Sequence, residues 1–296
     1  MKSRQMIVFV TVLVLLCSIA EAINFSFLDD FTEAELQELR MEIDDRLTEM
    51  KKNPSGGDDG EPVAATRSDP VLVGQTLLCK IEDYSGDSLI SMEMVCTIRG
   101  AGAKALVKSF SRTNLSFLDK GSEWFLVMVR IEVLEADNEK VNLYDNAFHF
   151  VSKDGAEYGY SDGHIWDNPA EIKPLYVGST LDAWIGCKVK TGDDPLITYE
   201  NRDGDNLWFN PNVRVLKDTS AMAFKPLASK DSGRGVTELQ YRLMEYGLLT
   251  VVPSGTYDKD TASAVKNFQK AFGAEGTGTA DEETLRLLYT GKPLPR

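Results

Sequence analysis

The sequence predicts a multidomain protein with an N-terminal helix, a central all-β sandwich and a C-terminal all-α bundle of three helices. Its 296 residues exceed the usual size of one domain, about 100–150 residues. Apolar residues recur at spacings of three and four near both ends of the chain, as in amphipathic helices, and alternate with polar residues in between, as in strands. The composition, 43% hydrophobic and 26% charged, is typical of a globular protein that buries a core.

Residues 1–22 have the pattern of a secretory signal peptide. Lys2 and Arg4 precede an apolar run over residues 6–20, and Ala20-Glu21-Ala22 forms a small-x-small cleavage site. A membrane-spanning helix needs about 20 apolar residues, and this run is shorter. We therefore expect cleavage after Ala22 and a secreted protein; an uncleaved membrane anchor is the alternative.

The cysteines do not indicate a disulfide scaffold. Cleavage would remove Cys17 and leave Cys79, Cys96 and Cys187, an odd number that allows at most one internal pair. Which two residues would pair stays open. The sequence has neither a CxxC motif nor a Cys/His cluster, so we expect no metal site and no cofactor.

Residues 23–52 predict an amphipathic helical segment. Thr32 and Glu35 form a capping box. An apolar stripe follows at helical spacing: Leu36, Leu39, Ile43, Leu47 and Met50. The helix either docks a partner protein or packs on its own chain. Residues 53–68 are rich in Gly, Pro and Asp and predict an acidic linker.

Residues 69–216 predict the β-sandwich. The clearest strand places alternate apolar residues on one face: Phe125, Val127, Val129, Ile131 and Val133. Turn signals such as Asp154-Gly155 and Asp203-Gly204 separate this strand from several shorter ones. Short strands at such spacing are typical of a sandwich.

Two segments of this region resemble an immunoglobulin-like family of unknown function that is common in Gram-positive lipoproteins and secreted proteins. They are residues 124–131 (Trp-Phe-Leu-Val-Met-Val-Arg-Ile) and residues 148–158, which end in an Asp-Gly hairpin and Tyr158. The resemblance implies an immunoglobulin-like sandwich. The family has no agreed catalytic site, so it implies none here.

After a second linker, residues 217–231, residues 232–296 predict three short helices. The first carries Val236, Leu239 and Leu243 on one face. Asp258 is placed to cap the second helix, with Thr261 three residues later, and Asp281 begins the third helix. Each pattern is expected to occur once, without an internal repeat.

This C-terminal region resembles the common peptidoglycan-binding-like domain. The matching residues are Gly233, Val236, Leu239, Gln240, Leu243, Gly247, Gly255, Thr261, Ala264, Val265, Phe268, Gln269, Thr277, Gly278, Asp281, Thr284 and Leu288. Most of them are expected to be structural, the apolar ones in the core, the glycines in turns, and Gln240 and Gln269 bonded to loop backbone. Asp258 departs from the family, which usually has glycine near this position.

The resemblance implies peptidoglycan as the partner, bound in a shallow groove beside the second helix. Tyr257, Lys259 and Gln269 are the candidate ligand-binding residues, an aromatic platform for a sugar face and donors for its polar groups. The alternative is that each is an ordinary turn or surface residue.

The sequence favours a binding protein over an enzyme. With only two histidines, His149 and His164, a zinc hydrolase cannot be assembled convincingly. The alternative is an L,D-transpeptidase-like enzyme that uses Cys187, but Trp184 and Val189 stand where that family has Ser and Arg. A surface interaction protein with the wall domain only as a tether is a further alternative. The net charge of −14 argues against nucleic acid as a partner.

Overall fold

A computed structural model describes residues 65–83, 86–110, 118–141, 148–159, 165–167, 175–200, 206–220 and 222–294. The predicted signal peptide (1–22), the predicted helix (23–52) and most of the predicted acidic linker (53–68) lie outside the described residues. Within the described part of the chain, no helix is long and apolar enough to cross a membrane.

The described residues form eleven strands and four helices. In the central region these are β1 (Val71–Val73), β2 (Thr76–Asp83), β3 (Gly86–Arg99), α1 (Gly100–Phe110), β4 (Ser122–Ala136), β5 (Lys140–Val141), β6 (Phe148–Val151), β7 (Ile165–Asp167), β8 (Leu175–Tyr176), β9 (Thr180–Lys190), β10 (Leu196–Glu200) and β11 (Asn206–Arg214). The C-terminal region contains α2 (Arg234–Glu245), α3 (Lys259–Ala271) and α4 (Glu282–Tyr289).

The central region is a two-sheet β-sandwich, as predicted. One sheet has the strand order β1-β11-β10-β6, and the other has the order β2-β3-β4-β9-β7. The long strands β3, β4 and β9 pair antiparallel, whereas β1 runs parallel to β11. Strands β5 and β8 form a separate two-stranded sheet.

The core of the sandwich follows the alternation predicted for β4. Its five inward residues are all inaccessible to solvent: Phe125, Val127, Val129, Ile131 and Val133. They pack with residues from both sheets, including Met92 on β3 and Phe150 on β6. This confirms that one face of the strand lies in the core.

The opposite face of the five-stranded sheet is also buried. Trp124, Leu126 and Met128 on β4 belong to a second apolar cluster that contains α1 and the C-terminal helices. A bulge on β3, where the register shifts between Met94 and Cys96, turns Cys96 and Ile98 toward this outer cluster. The sheet is therefore a central layer, covered on both sides.

Among its described residues, the region predicted to be all-β contains one helix, α1, which follows β3 directly and packs on the outer face of the sheet. Gly102 lets α1 approach the C-terminal helices, since a Cβ atom there would lie 3.2 Å from Met244 Cε. The rings of Trp184 on β9 and Tyr241 on α2 are 5.5 Å apart between centroids. The outer face of the sandwich and the C-terminal bundle thus share the second apolar cluster.

An ion-pair cluster fixes α2 to the sandwich. Arg214 Nη2 on β11 lies 2.6 Å from Glu245 Oε1, and Arg242 Nη1 lies 2.8 Å from Glu245 Oε2. The three side chains are only 11–17% exposed. Arg214 Nη2 also donates to the carbonyl of Val95 on β3, so one guanidinium joins both sheets to the bundle.

The segment predicted as the second linker, residues 217–231, packs along the C-terminal helices. The amide of Lys217 donates to Thr290 O, and Leu227 exchanges two backbone hydrogen bonds with Ala280. The ring of Phe224 stacks on Tyr289 at 5.5 Å. The segment behaves as part of the C-terminal unit because its backbone groups find partners there.

We predict that Glu245→Ala lowers the free energy of unfolding by about 3 kcal/mol, since it leaves two largely buried guanidinium groups without their carboxylate. Urea denaturation measures this loss. The matched control is Glu238→Ala on the same helix. Glu238 forms an exposed ion pair with Arg234, so we expect this variant to change the free energy of unfolding by less than about 0.5 kcal/mol. Equal losses in the two variants would contradict the structural role of Glu245.

Candidate functional site

The apolar residues of the C-terminal motif form the core of its three helices. Each is at most 1% exposed: Val236, Leu239, Leu243, Ala264, Val265, Phe268 and Leu288. The helices begin and end close to the predicted positions, and Gly247 has the positive φ of a helix C-terminal residue. The structural role predicted for these residues is confirmed.

Gln240 on α2 clamps the loop between α2 and α3. Its Nε2 donates to Thr256 O at 3.0 Å and to Thr261 Oγ1 at 2.8 Å, and its Oε1 accepts from the amide of Gly255 at 2.9 Å. The side chain is 1% exposed, so these bonds satisfy polar groups that water cannot reach.

Gln269 on α3 clamps the loop between α3 and α4 in the same way. Its Nε2 donates to Thr279 O at 2.8 Å and to Thr284 Oγ1 at 3.0 Å, and its Oε1 accepts from the amide of Gly278 at 2.9 Å. Both glutamines therefore bond to loop backbone, as predicted from the sequence.

Each clamped loop ends in an aspartate that caps the next helix. Asp258 Oδ1 accepts from the amide of Thr261, and Asp281 Oδ1 accepts from the amide of Thr284, both at 2.8 Å. The bond at Asp258 confirms the predicted cap, and the bond from Thr261 lowers the pKa of Asp258. Asp281 was expected to be the first residue of the third helix, whereas it caps a helix that begins at Glu282. Asp258 has extended backbone rather than a glycine-like conformation, so it replaces glycine without strain.

The clamp, loop and cap form a duplicated unit, and the expectation of no internal repeat is wrong. Residues 254–261 (Ser-Gly-Thr-Tyr-Asp-Lys-Asp-Thr) and 277–284 (Thr-Gly-Thr-Ala-Asp-Glu-Glu-Thr) share the glycine, the threonines and the aspartate at equal spacing. Val-x-x-Leu-Gln and Val-x-x-Phe-Gln precede them on α2 and α3. The different loop lengths between glutamine and glycine concealed the repeat.

The structure places Tyr257 in the core instead of on a ligand groove. Its side chain is 1% exposed, and its hydroxyl donates to Gly278 O at 2.8 Å. Burial raises the pKa of Tyr257 to about 12. The ring cannot serve as a platform for a sugar because its faces contact other buried side chains.

The other two candidate ligand-binding residues differ in their exposure. Gln269 is 3% exposed and bonded to its loop, so a role as a ligand donor is contradicted. Lys259, the first residue of α3, is exposed, and its role stays a prediction. Of the three candidate ligand-binding residues, only Lys259 is therefore exposed where a ligand beside the second helix could reach it.

A cleft of about 350 Å³ lies between the sandwich and the C-terminal helices. We call it the interdomain cleft; it is lined by Glu93, Val95, Cys96, Met128, Arg130, Asp182, Lys217, Arg234, Thr237, Glu238, Tyr241, Arg242 and Tyr289. The sandwich contributes one wall and α2 the other. Sequence reasoning missed it because one wall comes from residues 93–182 and the other from residues 217–289, which only the folded chain brings together.

Comparison with known families identifies the helical part. Residues 232–288 match the family model described as "Putative peptidoglycan binding domain". The resemblance predicted from the sequence is confirmed for these residues, which follow the β-sandwich in the chain. No curated protein sequence matches the chain.

Two solved structures are each similar to about half of the chain. The secreted protein MPT63 from Mycobacterium tuberculosis has 11% identity and a TM-score of 0.34, covering 48% of this chain and 98% of its own. An uncharacterized β-sandwich protein from Clostridium difficile has 10% identity and a TM-score of 0.29, covering 47% and 91%.

The three described cysteines are buried thiols that form no disulfide with one another. Cys79 and Cys187 lie in the sandwich core, and Cys96 lies beneath the peptidoglycan-binding domain. Burial raises the pKa of both Cys79 and Cys96 to about 12. Within the described residues, no cluster of three or more His, Cys, Asp or Glu side chains is arranged to hold a metal ion.

We predict that Gln240→Ala and Gln269→Ala each lower the free energy of unfolding by about 2–4 kcal/mol, because several buried loop groups lose their partners together. Chemical denaturation measures both. Asn267→Ala, an exposed amide on α3, is the control and should change stability by less than about 0.5 kcal/mol. A loss at only one glutamine would show that the two clamps are not equivalent.

Proposed function

We propose that this chain is an exported, non-catalytic protein that binds peptidoglycan through its C-terminal domain and holds its β-sandwich at the cell wall. The observation that carries the proposal is the match of residues 232–288 to a peptidoglycan-binding family, with the motif's clamps and caps intact. The signal-peptide pattern of residues 1–22 supports export to the compartment where peptidoglycan lies.

The packing between the β-sandwich and the C-terminal bundle favours one rigid wall-binding unit. It disfavours the alternative in which a flexible segment joins the sandwich to a separate wall-binding domain. Trp124 and Leu126 on the sandwich are at most 1% exposed, and both belong to the apolar cluster that contains the C-terminal helices. Removing the bundle would expose this apolar face to water, at a cost of about 25 cal/mol per Å². Function is therefore best tested on the intact chain rather than on fragments.

Recognition is proposed to depend on short-range contacts rather than on net charge. The chain carries −14 and is repelled by phosphate polymers of the wall. Binding to peptidoglycan should then survive removal of those polymers, since they contribute no attraction.

We expect the exported chain to sediment with purified sacculi stripped of anionic polymers and to be displaced by soluble muropeptides. Chitin beads are the control for non-specific retention on an amino-sugar polymer. Photo-crosslinking of a muropeptide should label residues 222–294 or the adjoining cleft wall. A chain that stays in the supernatant, or binds chitin equally, would refute the proposal.

The non-catalytic part of the proposal draws support from Cys187. This residue is inaccessible to solvent and lies opposite Phe125 in the pairing of β4 with β9, inside the sandwich core. A catalytic thiolate must reach its substrate and is stabilised by cationic, partly exposed surroundings. His164, the candidate base, lies outside the described residues.

We predict that the wild-type chain and Cys187→Ala leave the muropeptide profile of sacculi equally unchanged, with no release of fragments and no exchange of terminal D-amino acids. Chromatography of digested sacculi measures both. Urea denaturation of the variant provides the folding control. Cross-linking activity in the wild type that is lost in Cys187→Ala would establish the transpeptidase alternative.

A further inference from the structure

The interdomain cleft is lined by charges of both signs. Arg130 and Asp182 stand on the sandwich wall, joined by two bonds of 2.7 and 2.9 Å. Arg234 and Glu238 stand on α2, joined at 2.8 Å. These four side chains are 34–61% exposed, so the rim is accessible to a solute.

Several charged groups in the cleft retain binding capacity. Arg130 uses two of the five N–H groups of its guanidinium on Asp182. Among the described residues, neither Lys217 nor Glu93 has an ion-pair partner within 4 Å, although Glu93 lies opposite Arg130 in the pairing of β3 with β4. The bond to Asp182, and at longer range Glu93 and Glu238, raise the pKa of Arg130, which places acids from both walls within electrostatic reach of it.

The floor of the cleft is apolar. Met128 is 9% exposed and Cys96 is 2% exposed, and Tyr241 and Tyr289 add aromatic surface. Tyr241 and Tyr289 come from the C-terminal bundle, whereas Met128 and Cys96 come from the sandwich. A small ligand with methyl groups and charged ends would match this surface.

The cleft's size favours a short peptide over a glycan chain. Its volume of about 350 Å³ lies at the small end of the range of ligand pockets, about 300–1,000 Å³. Where a stem peptide is attached, the N-acetylated sugars of peptidoglycan carry no charge, because the lactyl carboxyl group of muramic acid is used in the amide bond to the peptide. Covering the charges of the cleft with neutral groups would cost their hydration without return. A stem peptide supplies carboxylates and an ammonium group, which form charge-assisted hydrogen bonds.

We propose that the interdomain cleft binds the stem peptide of peptidoglycan, with Arg130 and Lys217 receiving its carboxylates and Glu93 its ammonium group. The proposal rests on the function proposed above and assigns the peptide end of the ligand to a site that needs both domains. Neither wall alone would form it.

Calorimetry of the intact chain tests this with three soluble probes: a disaccharide tetrapeptide that contains a diamino acid, the tetrapeptide alone, and the neutral disaccharide of N-acetylglucosamine. We expect binding of both peptide-containing probes and at least tenfold weaker binding by Lys217→Ala and Glu93→Gln. Lys266→Ala and Glu283→Gln, which make the same charge changes at exposed positions outside the cleft, should bind as the wild type does.

A ligand-side control identifies the contact. Converting the peptide's carboxylates to amides should weaken binding to the wild type tenfold or more. The further effect on Lys217→Ala should be smaller, because that variant has already lost the Lys217 contact and keeps only the contact with Arg130. Thermal unfolding confirms that the variants fold, since Lys217 is exposed and Glu93 only half-buried.

The outcomes separate the two proposals. Retention on sacculi with unchanged peptide binding by Lys217→Ala and Glu93→Gln would overturn the cleft and leave the proposed function intact. Loss of peptide binding in Lys259→Ala instead would place the peptide beside α3, also against the cleft. A wild-type chain that binds neither sacculi nor soluble peptide would overturn both.

Discussion

The burial of the outer face of the five-stranded sheet is the constraint on which the rest of the structure depends. A sheet with Trp124, Leu126 and Met128 on one face and Phe125 and its inward neighbours on the other must be covered on both sides. The second sheet covers one face, and α1 with the C-terminal bundle covers the other. The bulge on β3 adapts that strand to this task by supplying apolar residues first to the inner and then to the outer core.

Because of this constraint, the C-terminal domain also covers one face of the sandwich. A wall-binding module on a flexible linker would place its cargo at a variable distance from peptidoglycan. Here residues 217–231 are hydrogen-bonded along the bundle, and Arg214 bonds simultaneously to Val95 and Glu245. The sandwich is thus held in one orientation relative to the domain, and a cleft with fixed walls becomes possible between them.

The sequence was informative where the structure is decided locally. Helix spacing and the cap at Asp258 depend on residues three or four apart, so α2, α3, α4 and that cap were predicted correctly. The burial of Tyr257 was not, because it depends on Gly278, 21 residues away. The outer core was missed although its signal was present: six consecutive apolar residues, 124–129, are too many for a strand with one face in water.

Charge explains how an acidic protein can select a ligand in a wall that contains polyanions. At physiological ionic strength charges are screened beyond about 8 Å, so the net charge of −14 acts on approach to extended polymers, whereas pairs inside the cleft act at contact. Mixed signs such as Arg130 beside Asp182 disfavour a uniform polyanion, because each phosphate would also meet a carboxylate. A zwitterionic peptide would meet groups of both signs, which is the physical basis of the selectivity that we propose for the cleft.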